Sequence, residues 1–234
     1  MYKFLPGKLK SNIYKKYMWL KFLYENFVAL LRKSKVSYSD FNEDLILEGI
    51  FGSLTGSYVD VGAGHPVIGS NSYLFYKKGW SGITVEPIKL HSVLHRLKRR
   101  RDLQINKLIG ESKDKVKFYE FNPTQLSTND ESQYKDMIAK GMKERRTYYL
   151  DSISINDVLS KVKNNEYFLT IDCEGYDYEI IKTIKWSLIY KPKAIVFEII
   201  SFSIKAKEIH QLLMAQGYNL TQRTSINNIY LLSD

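Results

Sequence analysis

Downstream of residue 56, short apolar runs alternate with stretches whose apolar residues recur every three or four positions. The first pattern predicts strands and the second helices. Strands are predicted at 57–62, 82–87, 103–109, 167–172 and 194–199, with an extra extended segment at 116–121. Helices are predicted at 71–78, closed by Gly79 in the left-handed position that ends helices, and at 88–99, 177–184 and 205–216. Ser154, with Asp157 three residues on, caps a further helix running to about residue 163. Residues 122–147 are polar and poorly patterned, which predicts a long connection or lid with a helix near 131–143. Two short strands, Tyr218–Arg223 and 228–232, close the chain as a hairpin. Apolar strands alternating with helices predict an α/β domain over 37–234. Its mostly parallel sheet is covered on both faces and finished by an antiparallel edge.

Before that domain the pattern changes. Ile13, Tyr17, Leu20, Tyr24, Phe27 and Leu31 alternate spacings of four and three, which predicts an amphipathic helix over 12–33. Trp19, Phe22 and Leu23 widen its apolar surface, while Lys15, Lys16, Lys21 and Arg32 interleave with it. Charge belongs to this segment: residues 1–36 hold nine cations against Glu25, or +8 of the net +10, leaving +2 for the rest. Three uses of a 1–36 arm stay open: packing on the domain or on a second copy as a homodimer, lying on an anionic membrane, or binding nucleic acid. The first residues lack the uninterrupted apolar core of a cleavable signal. In the domain, the cluster His95-Arg96-Leu97-Lys98-Arg99-Arg100-Arg101 reads as the solvated face and C-terminal turn of a helix.

Composition adds little beyond exclusions. Hydrophobic residues at 44% and charged residues at 26% are ordinary for a globular chain. The single cysteine, Cys173, rules out a disulfide framework or a cysteine-rich zinc module. That fits a reducing, cytoplasmic setting, with peripheral contact to the inner membrane face if the arm binds lipid. No stretch approaches the roughly 20 apolar residues that cross a bilayer.

The candidate chemistry gathers where strands end, the place at which such sheets bind ligands. Asp60, Glu86, Asp172, Glu174 and Glu198 all fall there. In the first turn, Asp60-Val61-Gly62-Ala63-Gly64-His65-Pro66, the two glycines permit positive φ and close backbone approach. The dinucleotide fingerprint needs a third glycine, and that position is Val67. Asp60 would repel a pyrophosphate and suits a ligand carrying an ammonium and a sulfonium. Glu86 is placed to accept both ribose hydroxyls. Together these favour S-adenosylmethionine over NAD.

The same residues carry a family resemblance. The run from Tyr58 through His65 and Pro66, with Ser70-Asn71-Ser72, Gly79-Trp80, Gly82-Ile83 and Glu86-Pro87, resembles the FkbM-type S-adenosylmethionine-dependent methyltransferases. Ile171-Asp172-Cys173-Glu174-Gly175-Tyr176-Asp177 is similar to that family's second hallmark, Ser39–Asp44 to its opening segment, and Leu126-Ser127-Thr128 to its mid-chain motif. Ser72 and Asp177 stand where threonine and glutamate are commoner, and Asp40 and Asn42 replace glutamine and glycine. The resemblance implies a class I methyltransferase fold, Rossmann-like, with a seven-stranded sheet and a terminal hairpin. It also implies O-methylation, most often of a sugar hydroxyl in a polysaccharide, glycolipid or glycosylated metabolite.

Roles follow for single residues. The donor-binding set is Asp60, Gly62, Ala63, Gly64, Asn71, Ser72, Glu86, Pro87 and Asp172. Asp172 and Glu174 flank Cys173 and share one face if the strand continues through them. Asp172 then faces the methyl donor and the acceptor hydroxyl, and Glu174 either positions or deprotonates the acceptor or ties the following loop. His65 is either a base or acceptor ligand, or a turn histidine bonded to backbone. Asn71 and Ser72 either face the donor or cap a helix. Cys173 reads as a buried strand residue. His91, His95 and His210 read as helix-surface residues without metal-ligand spacing. A divalent cation on Asp172, Glu174 and His65 is a possibility that spacing does not favour. The competing class is an RNA-binding module, or an RNA methyltransferase, using the arm and Arg99–Arg101.

Overall fold

A computed structural model describes residues 37–110, 115–163, 165–198 and 204–233. The arm and its predicted helix lie outside the described residues. The domain opens with Glu43–Phe51 (α1), Ser57–Val61 (β1), Tyr73–Lys77 (α2), Ser81–Val85 (β2), Lys89–Lys98 (α3) and Leu103–Ile105 (β3). Leu108–Ile109 (β4), Lys115–Asn122 (β5), Glu131–Ala139 (α4), Lys143–Ile153 (β6) and Ile155–Leu159 (α5) follow. Tyr167–Ile171 (β7), Asp177–Lys182 (α6), Ala194–Glu198 (β8), Ile204–Ala215 (α7), Tyr218–Arg223 (β9) and Asn227–Leu232 (β10) complete it.

Seven strands form one sheet in the order β3-β2-β1-β7-β8-β10-β9, parallel except for β10, which runs antiparallel to both neighbours. This is the expected α/β sheet with its terminal hairpin. Burial explains the centre: every residue of β7 is buried, as are Tyr58 to Val61 of β1. Alternation sorts their side chains between two layers. Val59, Val61, Leu169, Ile171, Ile195 and Phe197 pack with Val158, Ile180 and Ile181 on one face. Tyr58, Phe168 and Val196 pack with Phe51, Phe75 and Trp80 on the other. Strand order diverges on either side of β1 and β7, the kind of crevice where parallel sheets accept ligands.

Three predicted elements differ. The strand at 103–109 is two pieces: β3 joins the main sheet, while β4 pairs parallel with β6 in a second, three-stranded sheet. Asn106 makes the break, its amide donating to the carbonyls of Glu86 at 2.8 Å and Pro87 at 2.9 Å. The lid helix stops at Ala139, with Gly141 at φ 80°, and residues 143–153 form a strand antiparallel to β5. That strand lacks an apolar alternation because polar pairs hold it. Arg145, Arg146 and Tyr148 all reach the fully buried Glu120, at 2.8, 2.9 and 2.8 Å. The helix after Ser154 ends early, at Leu159, although the cap is present: Ser154 Oγ accepts from the Asp157 N–H at 3.0 Å. Among the described residues, no helix is long and apolar enough to cross a membrane.

Candidate active site

A cavity of about 560 Å³ opens at the carboxyl ends of β1, β2, β7 and β8. Its base is the turn after β1. Gly62 sits at φ 74°, and a Cβ there would fall 1.8 Å from the Asp172 carbonyl oxygen, so the close approach this glycine allows is to the protein's own β7 backbone. A Cβ on Gly64, at φ 55°, would have only the Gly62 carbonyl oxygen within 4 Å, at 3.9 Å. The first glycine joins two strands and the second leaves room for a ligand.

Glu86 lies beside this turn, almost fully buried. Its Oε2 accepts from the Gly64 N–H at 2.8 Å and its Oε1 from the Ile88 N–H at 2.7 Å. Two backbone donors thus fix a carboxylate on the cavity wall, each oxygen keeping a lone pair for a ligand hydroxyl. Pro87, Ile88, Leu108 and Phe118 form an apolar wall next to it. Ala63 and His65 also line the cavity. His65 Nδ1 accepts from the Val67 and Ile68 N–H groups at 3.2 and 3.1 Å. Nδ1 is thus occupied as an acceptor inside the turn, as in the reading of His65 as a turn histidine bonded to backbone.

Opposite Glu86, the floor is acidic: Asp172, Glu174, Glu198 and Asp40 all line the cavity. Asp172 reaches the cavity's water yet is ringed by protein atoms. Burial, then Glu198, Asp60, Asp40 and Glu43, push its carboxyl up to about 7. Glu174 is pushed further, to about 9, by burial and then by Asp172, Glu198 and Asp177. Strand alternation is not what presents the pair, because β7 ends at Ile171. Glu174 instead takes a left-handed backbone at φ 49°, a costly conformation for a non-glycine residue, followed by Gly175 at φ 96°. The Thr128 hydroxyl donates to the Glu174 carbonyl at 3.0 Å, and the Asp177 carboxylate accepts from the Cys173 N–H at 3.3 Å. Burial and the surrounding carboxylates push the Cys173 thiol up, so it is no nucleophile.

Asp60, Asn71 and Ser72 are not brought to the cavity wall. Asp60 is buried behind the turn and accepts from Ser72 Oγ; burial raises its pKa against the pull of Arg99. Asn71 donates to Thr170 Oγ1 at 2.9 Å, and Ser72 makes no helix-capping bond. The centre of this layer is Arg99, which corrects the reading of 95–101 as wholly solvated. Its side chain is fully buried, paired with Asp102 at 2.8 Å, and it donates to Ser72 Oγ at 2.7 Å and Ser70 Oγ at 3.2 Å. His91 and His95 are buried as well, not on the helix surface. His95 Nε2 donates to the Gly64 carbonyl at 3.2 Å, and burial holds this ring neutral by lowering its pKa to about 2. His210 lies apart from the cavity, 3.1 Å from the Tyr230 hydroxyl.

The far wall comes from residues 124–140, where Thr124, Gln125, Ser127, Asn129 and Gln133 face the cavity with Lys140 and Met137. Apart from the Leu126-Ser127-Thr128 motif, nothing in the polar sequence marked these residues. The same is true of Lys107, while the sequence marks Asp40 only as part of the opening segment and His91 only as a helix-surface residue. Among the described residues, no three His, Cys, Asp or Glu side chains converge to hold a metal ion.

Residues 60–220 match the family model described as the methyltransferase FkbM domain. Similar solved structures include a methyltransferase FkbM from Methylobacillus flagellatus KT, at 14% identity and a TM-score of 0.46, covering 86% of this chain and 46% of that one. The chain thus spans about half the length of that protein. Another is an O-methyltransferase from Bacillus cereus in complex with SAH, at 12% identity and a TM-score of 0.43, covering 92% and 90%. A third is a ribosomal protein L11 methylase from Lactobacillus delbrueckii subsp. bulgaricus, at 10% identity and a TM-score of 0.41, covering 82% and 78%. A search of curated proteins finds no match.

Proposed function

The chain belongs to the FkbM methyltransferase family, and on that premise we propose that it is an S-adenosylmethionine-dependent O-methyltransferase acting on a sugar hydroxyl of a glycan, glycolipid or glycosylated metabolite. One observation carries the reading: a single cavity holds an anchored carboxylate, Glu86, and a second, Asp172, poised near neutrality. The residues present fit the methyl donor. The open side of Gly64, the Glu86 carboxylate and the apolar wall of Ile88, Leu108 and Phe118 suit a nucleoside, and the acidic floor suits a sulfonium and an ammonium. When bound, S-adenosylmethionine supplies a methyl carbon made electrophilic by its positive sulfur.

The chain's own residues position the partners and move one proton. Glu86 accepts from the ribose hydroxyls. The two floor carboxyls differ because their surroundings differ. Asp172, near 7, is partly ionised at neutral pH and accepts the acceptor hydroxyl's proton. Glu174, near 9, keeps its proton, donates a hydrogen bond and orients the acceptor. The far wall offers uncharged groups, Thr124, Gln125, Asn129 and Gln133, that match a polyol.

The test is to incubate the full chain with methyl-labelled donor and a panel of nucleotide sugars, glycans, glycolipids and RNA. Label on a sugar oxygen, placed by nuclear magnetic resonance, is the expected outcome. Label on nitrogen, carbon or RNA alone would remove the sugar O-methyltransferase reading.

A further inference from the structure

We propose that the exposed face of α3 and the turn after it is a docking surface for an anionic phospholipid bilayer. Charge on the domain is segregated. Residues 89–107 carry seven cations against Asp102, or +6, whereas 37–234 as a whole carry only +2, so the remainder is at −4. The single acid does not offset the patch at its surface. The Asp102 side chain is fully buried, where it meets Arg99 and the Tyr58 hydroxyl. Lys89, Arg96, Lys98 and Arg100 are exposed, and none of them forms an ion pair among the described residues.

The apolar content of the patch chooses its partner. α3 buries His91, Ser92, Leu94 and His95, which turns Arg96, Leu97 and Lys98 outward. Leu97 is 57% exposed, an aliphatic side chain set between Arg96 and Lys98. Cations flanking an exposed leucine suit the boundary between headgroups and acyl chains. Single-stranded nucleic acid would call for aromatic stacking platforms, and residues 88–107 contain no Phe, Tyr or Trp. The turn is also held in place: the Arg101 guanidinium lies 3.9 Å over the Tyr76 ring and donates to the carbonyls of Tyr76 and Trp80. Ile88, His91 and Lys107 line the cavity, whereas Arg96, Lys98 and Arg100 belong to the far end of this ten-residue helix and the turn after it, with Lys98 about 15 Å along the axis from Ile88. The patch therefore takes no part in the chemistry.

Co-sedimentation of the full chain with vesicles tests this, using phosphatidylcholine alone or with about 30 mol% phosphatidylserine, at about 0.1 M and 0.5 M salt. The wild-type chain is expected to pellet with the anionic vesicles at low salt and not with the neutral ones. Arg96→Glu/Lys98→Glu/Arg100→Glu should weaken that binding at least thirtyfold. Leu97→Ser should weaken it severalfold at unchanged charge. All four positions are exposed and outside the cavity wall, so both variants should keep the wild-type melting temperature and donor binding. Undiminished vesicle binding by the charge-reversed chain would overturn the proposal by assigning lipid contact elsewhere. So would failure of the wild-type chain to bind anionic vesicles, or binding to mixed-sequence RNA that depends on the cations but not on Leu97.

Discussion

Asp172→Asn is expected to lower turnover about a thousandfold, within the range for loss of a general base, while making the unliganded protein more stable above neutral pH. The two effects share a cause. Burial and the neighbouring Glu198, Asp60, Asp40 and Glu43 lift the folded carboxyl from 3.8 to about 7. Between those values the folded chain binds more protons than the unfolded one, so stability falls as pH rises from about 4 through 7. Glu174, lifted from 4.5 to about 9, extends the loss to higher pH. An amide at 172 has no charge to bury. Because cavity water screens Asp172, the gain at pH 8 is about 1 kcal/mol, or roughly 2–4 °C. Thermal melts across pH 5–9 should show a flatter profile for the variant. For the wild type, kcat/KM should rise with pH through about 7, and that limb should vanish from the residual activity of Asp172→Asn. Wild-type turnover in this variant would remove Asp172 from the chemistry.

Arg99→Met should cost about 3–5 kcal/mol of stability, the usual effect of stripping one partner from a buried ion pair. Its side chain and that of Asp102 are both fully enclosed, 2.8 Å apart. Ser70 and Ser72 lose a donor in the same change, and Asp60 loses the one cation that opposes its burial. A domain of ordinary stability would lose a third or more of its total. Urea unfolding measures this directly, and a loss under about 1 kcal/mol would mean that the network contributes little.

The sequence patterns that found the fold were those with one dominant cause. β1, β7 and β8 are apolar because both their faces are covered, and the 60–66 turn carries glycines because its backbone needs them. Where polar contacts decide, the patterns misled. Lys143–Ile153 is a strand held by Glu120 and two arginines, contacts that no alternation encodes. Arg99 reads as one more cation in a basic run, and only the fold reveals the acid and hydroxyls around it. The cavity set was readable at Gly62, Gly64, Glu86, Asp172 and Glu174. Asp60, Asn71 and Ser72 share the motif but support the turn from behind. Glu174 reaches the cavity through a left-handed backbone, which residue spacing could not foretell.

Calorimetric titration of the full chain with S-adenosylhomocysteine, set beside NAD, tests most directly whether this cavity holds the methyl donor. One site per chain is expected for the former and none for NAD. Glu86→Gln should reduce that affinity at least tenfold, because its amide NH₂ would face one of the two backbone donors that now fix the carboxylate. Binding of NAD without S-adenosylhomocysteine, or full affinity in Glu86→Gln, would contradict the account.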